Sequence, residues 1–265
     1  MPADTHPAIQ QPADPTVSIW RYMDFAKYVA LLRDRALYFA RLDTLGDPFE
    51  GSLSRLEYEY WKKVAQEDEA KGQLPIEWRG RYFDVLLDGA RRSRKTSYVS
   101  CWHINGGESE AMWRLYSASE CAIAIRSTYQ HLERSLPSTY EAAEHWGPYL
   151  GVVQYADYHV DNLPQGNMFH YIMHKRRSFQ HEQECRAVVW RSGPKISLVP
   201  VPPEHVYTKY PPGINVPIPL QDLIEVVTVS PSSPGWFAQT VAELTTRYGY
   251  SFPVQQSVLA QAPYL

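Results

Sequence analysis

Most of the features that place a sequence quickly are missing here. The 265 residues include three cysteines, Cys101, Cys121 and Cys185, and no C-x-x-C pair. Any single bridge would leave one thiol over, and all three sit in apolar, strand-like runs where a cysteine packs as a small hydrophobe. That usage points to a reducing compartment. No run of about 18 apolar residues is present, so no membrane-spanning helix is expected. Neither charge sign dominates: 26 basic residues face 29 acidic ones for a net charge of -3. This balance excludes a global attraction to nucleic acid or anionic lipid, and any such partner has to be held locally. The patterns G-x-x-x-x-G-K-[ST], G-x-G-x-x-G and G-x-S-x-G are absent, which excludes a P-loop, a Rossmann site and an esterase elbow. There is no internal repeat.

What is present is a large apolar reserve. With 44% hydrophobic and 13% aromatic residues, the chain can bury one substantial core, and residues 17–265 read as a single domain. Met1 to Thr16 carries Pro2, Pro7, Pro12 and Pro15 among polar residues, without the apolar centre of a signal peptide. It reads as a disordered tail, and the expected location is cytoplasmic.

Periodicity gives a coarse α+β reading: a mixed, mainly antiparallel sheet with helices inserted between its strands. IWRYM reads as a strand, followed by a helix with Phe25, Tyr28, Val29 and Leu32 on one face, then the strand Ala36 to Ala40. Gly46, Pro48 and Gly51 mark a loop carrying Asp43, Asp47 and Glu50. Residues 53–90 read as a helical insertion. The strand SYVSCW, the helix ESEAMWRLY and the strands ECAIAIR, GVVQYADY, HEQECRAVVWR and ISLVPV follow. DLIEVVTV, a helix through Phe237, Val241 and Leu244, and SFPVQQ close the chain. SPSSPG before that helix offers Ser232 or Ser233 as an N-cap.

The most chemically loaded stretch is Phe179 to Arg191. On a strand, alternate side chains share a face, so Glu182, Glu184 and Arg186 are expected together at the start of a buried strand. Two carboxylates about 6 to 7 Å apart follow from the rise per residue. Burial is then expected to raise the pKa of one member, which suits general-base work, unless Arg186 neutralises the pair in an ion network.

The order of these blocks carries a resemblance. Arg21 in IWRY, Ser100 in SYVSC and the late Glu-x-Glu of EQECRAVV are similar in order to the Arg, Ser, Glu-x-Glu pattern of ADP-ribosyltransferases. The blocks LYFARLDTLGDPFE, VSCWH, ESEAMWRLY and FQHEQECRA resemble a bacterial domain-of-unknown-function family that carries them in the same order. The transferase likeness implies NAD as cofactor, with Arg21 gripping the pyrophosphate and Ser100 supporting the site. It implies Glu184 at the nicotinamide ribose and Glu182 orienting or deprotonating the acceptor, whether protein, nucleic acid or small molecule. The fold implied is ADP-ribosyltransferase-like, with the site at a cleft formed by Arg21, Ser100 and Glu184. The setting implied is a bacterial toxin or defence effector. Trp102, Trp113 and Tyr116 are candidates to stack on a nucleotide ring, and Lys175 and Arg177 to meet its phosphates.

Two other readings stay open. One is a nucleotide-binding or sensor protein that uses the same residues without turnover. The other is a metal-dependent nuclease drawing on Asp43, Asp47 and Glu50 together with the glutamate pair. His170 and His174 have zinc-compatible spacing on a helix, but most such pairs are surface or core-edge histidines.

Overall fold

The structure is a computed structural model and describes residues 6–72, 74–117, 119–138, 145–164, 167–191 and 210–263. The expected strand ISLVPV lies outside the described residues. Among the described residues the architecture is a mainly antiparallel sheet flanked by helices on both faces.

The first half of the sheet follows the periodicity closely. Strand β1 (Ser18–Asp24) runs into helix α1 (Phe25–Asp34), whose buried residues Tyr28, Leu31 and Leu32 form its core-facing stripe. Arg35 turns the chain at φ 50 into β2 (Ala36–Arg41). The insertion holds helices α2 (Arg55–Lys71) and α3 (Tyr82–Thr96). Ser54 starts α2 by accepting from the Glu57 amide, the first half of an S-x-x-E capping box, and Gly72 ends it at φ 67. The basic run from Arg91 to Lys95 forms the last turns of α3 and leads into β3 (Ser97–Ile104).

Next come α4 (Glu110–Tyr116), β4 (Ala122–Thr128) and α5 (Tyr129–Ser135). They lead to β5 (His145–Val152), β6 (Gln154–Ala156), α6 (Met168–Met173) and β7 (His174–Arg176). A 3₁₀ turn, Arg177–Glu182, then enters β8 (Glu184–Arg191). The chain closes through β9 (Gly213–Pro217), α7 (Leu220–Leu223), β10 (Val226–Val229), α8 (Phe237–Arg247) and β11 (Val254–Gln256). Helix α8 begins at Phe237 with no side-chain cap, so Ser232 and Ser233 belong to the preceding turn and not to its N-cap.

Strand order runs β11-β10-β4-β1-β3-β2-β9, with β8 also on β3 and β5 on β8. All these pairs are antiparallel except β10 with β11. Strand β3 is the centre of a fork. One of its edges pairs with β8 from Ser97↔Trp190 to His103↔Glu184. The other edge is shared: Ile104 and His103 pair with β1, whereas Val99 and Tyr98 pair with β2. The middle of β3, including Ser100, therefore faces the point where β1 and β2 diverge.

The larger core lies on one face, where Ile19, Leu37, Tyr98, Trp102, Ile125, Ala187 and Val189 pack with residues of α1, α5, α7 and α8. On the other face Val99 and Val188 pack with Phe169, Ile172 and Met173 of α6, joined by Ala8 and Ile9. Residues 6–11 are thus docked and not the disordered tail suggested by composition. The Gln10 carbonyl accepts from the Val152 amide at 2.9 Å, and Gln11 donates to the Leu150 carbonyl at 2.8 Å. Gly151 makes this approach possible, because a Cβ there would come within 2.1 Å of Ile9 Cγ2 and 2.8 Å of the Gln10 carbonyl. Two apolar residues and an edge backbone are enough to hold a proline-rich segment whose composition alone argues for disorder.

Candidate functional site

Strand parity decides what can meet. Directly paired antiparallel residues project to the same face. The pair Ser100↔Ala187 lies on the larger core face, and Cys101↔Arg186 and His103↔Glu184 lie on the opposite one. Arg21 lies between Trp20, which pairs with His103, and Tyr22, so its side chain joins Ser100 and Trp102. The structure therefore brings Arg21 and Ser100 together and sets Glu184 on the other side of the sheet. The expected three-residue cleft of Arg21, Ser100 and Glu184 does not form on one surface.

Arg21 fills the fork. Its Nη1 donates to Ser100 Oγ at 2.8 Å and its Nη2 to the Tyr38 carbonyl of β2 at 2.9 Å. The guanidinium also stands 5.8 Å from the Trp102 ring centroid. Among the described residues no carboxylate pairs with it, and burial pushes its pKa down to about 10. The contacts explain the position: where β2 leaves β1, an inward carbonyl lacks a ladder partner, and a long donor reaches it. Trp102 is buried in the larger core and presents no ring face to a ligand.

On the opposite face a five-membered ion cluster joins Glu50 of the acidic loop to Lys175, Glu182, Glu184 and Arg186 of one late stretch. Arg186, fully buried, donates to both Glu184 oxygens at 2.5 and 3.0 Å and to the Ile172 carbonyl at 2.7 Å. It also meets Glu50 at 2.8 and 3.0 Å. Lys175 Nζ reaches Glu182 at 2.7 Å, Glu50 at 3.2 Å and Glu184 at 3.3 Å. Three carboxylates and two cations, each less than a tenth exposed, thus neutralise one another apart from a single negative charge.

The expected strand start shifts by two residues. Glu182 ends the 3₁₀ turn, Gln183 takes the left-handed conformation at φ 38, and the strand begins at Glu184. The expected rise in pKa is also reversed for Glu184. Burial alone would raise it, but Arg186 and then Lys175, with the Cys101 thiol as a further donor, hold it down to about 2. Lys175 is raised despite its burial, chiefly by Glu184 and Glu50. Arg186 quenches Glu184, and Lys175 is inside the cluster instead of facing phosphate.

The other expected residues fall as follows. Arg177 is exposed and paired with Asp161 at 2.9 Å. Trp113 is buried against Tyr22, with ring centroids 4.9 Å apart. Tyr116 is 45% exposed, and its hydroxyl donates to Glu182 Oε2 at 3.1 Å. Burial and the charges of Glu182 and Glu184 raise its phenol pKa. Asp47 pairs with Arg176 at 2.7 Å and Asp43 with Arg41 at 2.6 Å, so the acidic loop is committed to ion pairs along with Glu50. His174 lies beyond the end of α6, with its Nδ1 on the His170 carbonyl, so the two histidines do not form a helical i, i+4 pair.

Three members of this face were not singled out by the sequence reading. The Tyr22 hydroxyl accepts from the Ser109 amide at 2.9 Å, and the Tyr155 hydroxyl accepts from the Glu184 amide at 2.8 Å. His103 donates from Nδ1 to the Glu182 carbonyl at 2.6 Å. The signal available was alternation: Trp20 and Tyr22 on β1, and Cys101 and His103 on β3, share a parity that Arg21, Ser100 and Trp102 do not.

The edge of this cluster, where Tyr116 bonds the Glu182 carboxylate and His103 bonds the Glu182 carbonyl with Tyr22 beside it, is the candidate functional site. Deeper in, charge is paired; at the rim, Glu182 keeps one oxygen uncommitted, since both of its side-chain hydrogen bonds arrive at Oε2. No protein-family model, no curated protein and no solved structure matches the chain. Among the described residues, no helix is long and apolar enough to cross a membrane.

Proposed function

We propose that the chain breaks the glycosidic bond between nicotinamide and ribose in NAD, passing the ADP-ribosyl group to water or to an acceptor, with Glu182 as the carboxylate that meets the substrate. The observation that carries this reading is the difference between the two glutamates. Glu184 is clamped through both oxygens by Arg186, whereas Glu182 is fixed through Oε2 by Lys175 and Tyr116 and keeps Oε1 for a ligand. A carboxylate held in place at the edge of a poorly solvated cluster stabilises the positive charge that builds on the ribose as nicotinamide leaves. Nicotinamide departs neutral with the electron pair of the broken bond. The exposed ring of Tyr116 offers a flat surface beside it. Glu182 thereby takes the role at the ribose that the transferase resemblance implies for Glu184, which stays clamped, and Arg21 and Ser100 serve the fold.

The test is release of nicotinamide from NAD. Wild type releases it, and Glu182→Gln slows release by about 100-fold or more while the protein keeps its melting temperature within a few degrees. Failure of the wild type to release nicotinamide sinks the proposal. The locked state of Glu184 favours one second reading, a nucleotide-binding protein without turnover. In that case NAD or ADP-ribose raises the melting temperature and no product forms.

A further inference from the structure

His103 has a polar atom with nothing to do. Only 7% of the residue is exposed, and its buried Nε2 has no hydrogen-bond partner among the described residues. The other nitrogen is fully committed. Nδ1 stands 2.6 Å from the Glu182 carbonyl, which can only accept, so Nδ1 carries the proton. The neutral ring then presents a bare lone pair at Nε2. Burying such an acceptor without a partner costs free energy, and native structures rarely leave one unexplained. Burial also keeps the ring neutral by lowering its pKa.

Its surroundings belong to the candidate site. Across the ladder stand Trp20 on β1 and Glu184 on β8. Tyr22 lies with its ring centroid 6.4 Å away. The turn before β8 supplies Glu182, whose charge favours the protonated ring, and His181, whose charge opposes it. The same backbone carbonyl that fixes the tautomer belongs to the residue whose carboxylate faces the substrate, so His103 and Glu182 are held in one rigid unit.

We infer that His103 is the proton acceptor of this site, its Nε2 placed to take the proton of the hydroxyl that replaces nicotinamide, whether from water or from an acceptor. The inference rests on the glycosidic reading above and assigns its second half. As the ribose–nicotinamide bond breaks, the new ribose–oxygen bond forms and the hydroxyl proton passes to Nε2, leaving an imidazolium that returns the proton to solvent. Glu182 stabilises charge on the ribose, and His103 removes the proton from the nucleophile.

His103→Asn separates this role from a structural one. The asparagine amide can keep the hydrogen bond to the Glu182 carbonyl and deletes Nε2. The expected result is nicotinamide release from NAD slowed by about 100-fold or more, with the NAD KM little changed. In the wild type the rate falls as pH drops through the His103 pKa, because the protonated ring cannot accept, and this acidic limb disappears in the variant. If His103→Asn keeps the rate and the acidic limb while Glu182→Gln abolishes release, the proton-acceptor role is overturned and the glycosidic reading stands. If the wild type releases no nicotinamide, both fall. Should His103→Asn not fold, the ¹⁵N resonances of His103 in the wild type decide: Nε2 shifts on saturation with NAD, and a resonance that NAD leaves unmoved overturns the inference.

Discussion

The two faces of β3 bury charge in opposite ways. On the glutamate face, Arg186 and Lys175 are matched by Glu50, Glu182 and Glu184 at 3.3 Å or less. On the fork face Arg21 meets, among the described residues, neutral acceptors, Ser100 and the Tyr38 carbonyl. A charge inside a matched network depends on its partners, and because the carboxylates here outnumber the cations, removing a cation strands the carboxylates around it. A lone guanidinium bonded to neutral groups leaves nothing charged behind when it goes. The network face can therefore hold a reactive group in a fixed place, and the fork face has only to close a gap in the sheet.

Substitutions can break or sharpen this contrast. The largest effect is expected for Arg186→Met, which leaves Glu50 and Glu184 facing Lys175 alone and should cost about 3 to 5 kcal/mol. Urea unfolding measures it, and a loss below about 1 kcal/mol would show that the cluster is better solvated than its burial indicates.

Acid is the next test. The folded pKa of Glu184 is depressed to about 2, so its contribution is fully present above the unfolded value near 4.3 and is lost as pH falls from there toward 2. Wild-type stability should drop across that window. Glu184→Gln should start lower and show a shallower drop, and parallel curves for the two proteins would contradict the matched-network account.

A middle-sized effect is expected where the docked segment meets the sheet. Gly151→Ala puts a Cβ against Ile9 and the Gln10 carbonyl, so residues 6–11 should leave the edge of β5, at about 1 to 3 kcal/mol. Hydrogen exchange at the Val152 amide reports it, and unchanged protection there would refute the docking. The smallest effect is expected on the fork face. Arg21→Met loses two hydrogen bonds but also a half-buried charge bonded only to neutral groups, and unfolding stability should stay within about 1 kcal/mol of wild type. A loss as large as that of Arg186→Met would erase the distinction between the faces.

Much of the local structure was legible. The helical insertion, the α1 stripe and the strands around Ser100 and Glu184 follow from spacing and turn residues. Glu184 and Arg186 share a face because they are two apart on one strand, and their ion pair was already an open reading of the sequence. Glu50 and Lys175 were visible only as a loop acid and a candidate phosphate contact. Their place in the cluster depends on long-range packing that brings a loop 136 positions away from Arg186 into hydrogen-bonding range. His103 closed the VSCWH block without a role of its own, and its unpartnered nitrogen exists only once β3, β8 and the turn before β8 are assembled.

The sequence by itself determined the elements and, within each strand, which residues share a side, because backbone geometry fixes that alternation at two residues. It did not determine whether Arg21, Ser100 and Glu184 share a side with one another. That depends on register between strands, where a slip of one residue exchanges every face. The tertiary structure set Ser100 opposite Ala187 and His103 opposite Glu184, and so placed the arginine in the fork and the glutamates on the other face.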